Sequence, residues 1–176
     1  MIESIYWKKE LLSHAKRLKP VSKPPRWSEK LACSFEREII ISFFCIRKLF
    51  ETYKVSSVSR SYKMQVYVSE ANGTQRNLFN RYMMDELYDM ENEKLIHRDI
   101  WLMTNQFVHS YIIYPYRKRD RNWGGIFVCS DFEKDRLIYR VSIEEVQKVF
   151  RIVGNDYSSE VTRSYDAKGN IVTSTN

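Results

Sequence analysis

Residues 29–53 read EKLACSFEREIIISFFCIRKLFETY. Leu31, Phe35, Ile39, Phe43, Ile46, Phe50 and Tyr53 recur at steps of three and four, the period of one face of an α-helix. Ser28 stands at the N-cap position, and Arg47 and Lys48 suit the negative pole at the far end. Between Ile39 and Ile46 apolar residues cover nearly every face, so this is expected to be the central, most buried helix. The same run contains Ser42 and falls far short of the roughly 20 residues that a bilayer-spanning helix needs, so no membrane partner is expected.

Upstream, Ile2, Ile5, Leu12, Ala15 and Leu18 are mostly helically spaced with lysines between them, which predicts a short amphipathic helix over 2–18. The run Lys19-Pro20-Val21-Ser22-Lys23-Pro24-Pro25 then reads as a linker stiffened by proline. Downstream, Tyr62, Met64, Val66 and Val68 alternate with polar residues and lead to Asn72-Gly73, a strand ending in a turn. Helical spacing returns over Asn77 to Met90 and again from Leu95 to about Tyr111, with the run Tyr111-Ile112-Ile113-Tyr114 open to either helix or strand and Pro115 ending it. Gly125–Cys129 and Leu137–Val141 read as a hairpin around a polar turn. Ser142 and Glu145 read as a capping box for a helix stopping at Gly154, and 161–173 as a last hairpin around Asp166–Asn170.

The expected fold is therefore α+β: an N-terminal helical bundle followed by a small antiparallel sheet with one additional helix. Residues 1–27 form a basic helix and Pro-rich linker, 28–114 a helical core with a short strand, and 115–176 a β-rich part of the same domain. A chain of 176 residues with 43% apolar and 14% aromatic content can bury one substantial core. Charges break up the apolar residues of the N-terminus where a signal peptide needs a continuous run, so a cytoplasmic location is expected. Cys33, Cys45 and Cys129 are odd in number and without a C-x-x-C pair, and His14, His97 and His109 are not at zinc spacing. Free thiols, no metal and no cofactor are expected.

The formal charge of +7 favours polyanionic partners. It is concentrated in the first thirty residues and in Arg117, Lys118, Arg119 and Arg121. That second cluster is flanked by Tyr114, Tyr116 and Trp123, and cations that neutralise phosphates beside rings that stack on bases suit single-stranded nucleic acid. A solvated loop whose aromatics pack on the core has the same composition. No P-loop, G-x-G-x-x-G or G-x-S-x-G is present.

Thr104-Asn105-Gln106-Phe107-Val108-His109-Ser110-Tyr111 resembles the signature helix of the HEPN superfamily: Arg, a polar residue such as Asn, a few apolar residues, then His and an aromatic. Asn105, Val108, His109 and Tyr111 match; Thr104 stands where the family has its arginine. The resemblance implies a helical bundle over about 29–114 and an RNA-directed protein of a bacterial defence or toxin system, either a metal-independent ribonuclease or a catalytically weakened descendant. In that chemistry a cation stabilises charge on a phosphodiester while an imidazole moves the proton. His109 would be the acid/base, Asn105 would orient it or bind phosphate, and the missing cation would come from Arg47 or Arg117. Arg98 would lie too far along a continuous helix, about 16 Å away. Implied partners are RNA in preference to DNA, a second copy of the chain, or a partner protein of a defence system. Two other readings stay open: a non-enzymatic nucleic-acid-binding module, and a protein-interaction or small-molecule-binding subunit in which the acidic 85–93 segment meets a basic surface.

Overall fold

The computed structural model describes residues 3–158, 161–165, 168 and 171–175. The chain runs α1 (Ile5–Arg17), α2 (Glu29–Glu51), α3 (Ser57–Arg60), β1 (Lys63–Glu70), α4 (Met84–Leu87), β2 (Lys94–Asp99), α5 (Ile100–Val108), β3 (Ser110–Arg117), β4 (Trp123–Ser130), β5 (Leu137–Ser142), α6 (Ile143–Asn155), β6 (Val161–Tyr165) and β7 (Ile171–Thr175). Strands β2-β1-β5-β4-β3 form one antiparallel sheet in that order, and β6 pairs with β7 in a separate hairpin. The fold is α+β, and no described helix is long and apolar enough to cross a membrane.

The main core lies between one sheet face and the helices. Met64 and Val66 of β1, Ile126 and Val128 of β4 and Val141 of β5 are buried with Phe43, Ile46 and Phe50 of α2, Met103 and Phe107 of α5, and Val146 and Phe150 of α6. The Phe43 ring stacks on Phe107 with centroids 3.8 Å apart and meets Phe150 edge-on at 5.6 Å. A smaller core on the other sheet face joins Met84, Leu87 and Tyr88 to Ile112, Cys129 and Ile138.

α2 forms as its spacing predicts, with Ser28 Oγ accepting from the Leu31 N–H. The β4–β5 hairpin and α6 also match, and Ser142 Oγ accepts from the Glu145 N–H. Only half of the capping box exists, because the Glu145 carboxylate turns to the Tyr62 hydroxyl and the Gln65 N–H instead. Helix α6 passes Gly154 without a left-handed residue and ends at Asn155. The glycine is there because α1 lies against it: a Cβ would stand 2.8 Å from the Leu12 side chain and 3.2 Å from the Lys8 carbonyl. The last hairpin pairs as expected, while Asp166–Asn170, apart from Lys168, and Ile2 lie outside the described residues.

The middle of the chain departs from its sequence pattern. The helix predicted over 77–90 shrinks to Met84–Leu87; Asn77 and Asn80 accept from each other's backbone N–H groups in a local turn that is not continued as a helix. The helix predicted over 95–111 splits into β2, α5 and β3: pairing of Lys94–Asp99 with β1 overrides a weakly helical pattern, and Ser110 already belongs to a strand. Pro115 does not end that segment but lies inside β3, which is tolerated because β3 is an edge strand. Residues 28–114 thus contribute β1, β2 and part of β3 to the sheet, so the helices pack on the sheet instead of preceding it as an independent bundle.

One lysine of the amphipathic helix α1 also departs from the solvated role that its charge suggests. Lys8 is 1% exposed, and its ammonium donates to the carbonyl oxygens of Lys54 (2.6 Å) and Asp156 while lying over the Tyr157 ring. Burial lowers its pKa and the nearby Asp156 charge opposes that shift. Phe43→Ala is expected to destabilise the protein by about 3–5 kcal/mol, since it removes both ring contacts and leaves a cavity. Chemical denaturation checks this; a midpoint unchanged from the parent would show that the stack does not hold the core together.

Candidate functional site

α5 is short, nine residues, and its inward face is fixed by packing. Thr104 is fully buried, with its hydroxyl donating to the Ile100 carbonyl. A charged side chain would be unpaired there, which gives a physical reason why this position holds no arginine. His109 closes the helix: its N–H donates to the Asn105 carbonyl, and its own carbonyl accepts from the Asp131 N–H at the start of the β4–β5 turn. Gln106 adds a second tie, accepting from the Ser130 N–H at 2.8 Å. The imidazole therefore hangs, exposed, from a backbone held on both sides.

Facing it is α2. Arg47 Nη1 lies 2.6 Å from His109 Nε2, and Arg47 Nε donates to Glu51 at 2.8 Å. The Arg47 guanidinium also lies over the Trp101 ring, 5.8 Å from its centroid. A guanidinium only donates, so the contact requires a lone pair on Nε2, the form in which an imidazole acts as a base. Arg47, Asn105, Gln106, His109, Ser130, Asp131 and Phe132 line one cleft of about 460 Å³. The Asn105 Oδ1 in its wall is buried and has no hydrogen-bond partner among the described residues. Phe132, 84% exposed, stands at the mouth.

The two arginines named from sequence separate. Arg47 meets His109, whereas Arg117 donates to the Pro25 carbonyl at 2.8 Å and stacks over Trp123. Arg98 is on β2, the edge of the sheet opposite β3. His109 and the basic cluster, near neighbours in sequence, stand at opposite ends of β3, roughly 25 Å apart at 3.3 Å per residue.

The basic cluster itself divides. Trp123 stacks on Phe35 with centroids 4.0 Å apart and meets Trp27 edge-on, so it is committed to packing. Tyr116 packs beside Phe127, and its hydroxyl accepts from Arg140. Lys118 pairs with Glu144 at 2.6 Å. Arg119 and Arg121 are exposed. The segment read as a linker is fastened to this turn, for the Asn122 amide accepts from the Val21 N–H and donates to the Val21 carbonyl.

Cysteine chemistry is disfavoured where the thiols are buried: Cys45 is pushed up to about 12 by burial, with the charge of Glu10 adding to it, and Cys129 is also raised by burial. Among the described residues no three or more His, Cys, Asp or Glu side chains are grouped so as to hold a metal ion. Sequence reasoning does not find Trp101, Gln106 or Phe132; of these only Phe132, an aromatic inside the polar turn 131–135, carries a signal. Comparisons with family models, with curated proteins and with solved structures give no match.

Asn122→Ala is expected to loosen the 19–27 segment without unfolding the core. Limited trypsin digestion should then cut after Arg26 several-fold faster than in the parent, Lys19 and Lys23 each being followed by a proline that blocks the protease. Equal rates would mean that the amide clasp does not hold the segment.

Proposed function

We propose that the chain is an RNA-directed, HEPN-like protein whose cleft around His109 cleaves a phosphodiester without requiring a metal. The observation that carries this reading is the 2.6 Å approach of Arg47 to His109, which brings a cation to the site although position 104 lacks one. With substrate bound, Arg47 moves from His109 Nε2 to the phosphate; the freed Nε2 lone pair takes the proton of a ribose 2′-hydroxyl, the 2′-oxygen attacks phosphorus, and the 5′-oxygen leaves with a proton from water, giving a 2′,3′-cyclic phosphate. Arg47 stabilises the charge on the non-bridging oxygens. The unpartnered Asn105 Oδ1 accepts from a ribose hydroxyl, and Phe132 offers a ring on which an unpaired base stacks. The resemblance adds a second copy of the chain as partner.

The test is cleavage of labelled single-stranded and transfer RNA in EDTA by the parent and by His109→Ala and Arg47→Ala proteins. Both positions are at least partly exposed, so both variants are expected to fold. The parent should cleave, with loss on the order of a hundredfold or more for each variant. Absence of cleavage by the parent, or equal cleavage by His109→Ala, would overturn the proposal.

A further inference from the structure

We propose that the cleft between the 19–27 segment and the β3–β4 turn binds phosphate groups. Arg17, Lys19, Arg117 and Arg121 line it together with Asn122 and Trp123, in a volume of about 240 Å³. Two basic clusters about a hundred residues apart in sequence are thus held against each other by the Asn122 clasp on Val21 and by the Arg117 bond to Pro25. Gathering cations in one cleft is costly unless an anion joins them.

The acidic groups nearby offset only part of this charge. Asp120, inside the turn, is taken up by the N–H and side-chain amide of Asn122. Glu144 is held by Lys118. Of the cleft's cations only Arg17 is paired with carboxylates among the described residues, those of Glu38 at 3.5 Å and Glu10 at 3.7 Å. Among the described residues Lys19 and Arg121 have no acidic partner. Arg117 Nε is buried and has no hydrogen-bond partner among the described residues, although Nη1 is engaged by Pro25.

Backbone geometry adds to this. Arg121 has φ +68°, a left-handed conformation uncommon for a residue other than glycine. The chain keeps an arginine where glycine would fit without strain, which points to a use for the side chain. Guanidinium forks match phosphate oxygens in pairs, and a nearby lysine adds a mobile point charge. The shared chemistry is a phosphate, carried either by a nucleic-acid backbone or by a small phosphorylated ligand.

The test uses the full chain and a Lys19→Ala/Arg121→Gly double variant. Glycine accepts the left-handed backbone at 121, and Lys19 makes no side-chain hydrogen bond among the described residues, so the variant should melt as the parent does. Binding of a labelled single-stranded RNA is followed by fluorescence anisotropy across salt concentrations, and binding of pyrophosphate by calorimetry. If a nucleic-acid backbone is the source, the variant should bind RNA more weakly and the log–log salt slope should be shallower by about 1.4, at ~0.7 for each phosphate that is no longer neutralised. If the source is a small ligand, the parent should bind pyrophosphate and the variant should not. A parent that binds neither, or a variant that binds both as the parent does, would overturn the proposal. Because the readout is binding and not cleavage, its failure and the failure of the ribonuclease reading are separable.

Discussion

The Phe43–Phe107 stack is the contact on which the position of the candidate site depends. It clamps α5 to α2, and Ile100 and Met103 of α5 are buried in the same core. Arg47 is four residues beyond Phe43, one turn along the same helix face, while His109 is two residues beyond Phe107 at the helix end. Packing of the rings therefore sets how far the guanidinium and the imidazole can be from each other. The ties of His109 and Gln106 to the start of the β4–β5 turn then stop α5 from rotating. A hydrophobic contact with no chemistry of its own thus sets the geometry of the candidate site.

Legibility in the sequence followed the length and regularity of each signal. α2 has six apolar residues in register and a capping serine, and α6 has a capping serine and a wide apolar face; both form where the spacing puts them. The 94–117 stretch failed because six residues of strand, nine of helix and eight of strand follow without a breaker, so no single period lasts long enough to be read. Residues 77–90 failed for another reason: the spacing was helical, but asparagine side chains offered the backbone a competing turn. Lys8 could not be recognised as buried, because its partners are carbonyls at 54 and 156 that only the assembled fold brings together.

The site was legible in the same partial way. Asn105 and His109 were visible because they fall within one local pattern, and Arg47 was visible only as one of two arginines able to reach them. Choosing between the two needed the topology: β3 carries Arg117 away from His109, whereas α2 returns Arg47 to it. The aromatics of the basic cluster behaved as the alternative reading of that loop allowed, with Trp123 on Phe35 and Tyr116 on Phe127.

The separation of the two candidate sites constrains what a common ligand must be. β3 is hydrogen-bonded along its length to β4, so the roughly 25 Å between His109 and Arg117 is set by strand geometry and does not depend on loop motion. No mononucleotide or isolated phosphate spans that distance. Duplex nucleic acid advances about 3.4 Å per nucleotide along each strand, so a ligand engaging both ends must be a polymer several nucleotides long. Small phosphates would occupy the basic cleft alone and leave the His109 cleft unaffected. The same strand that separates the two sites in space would thus make any coupling between them a matter of ligand length.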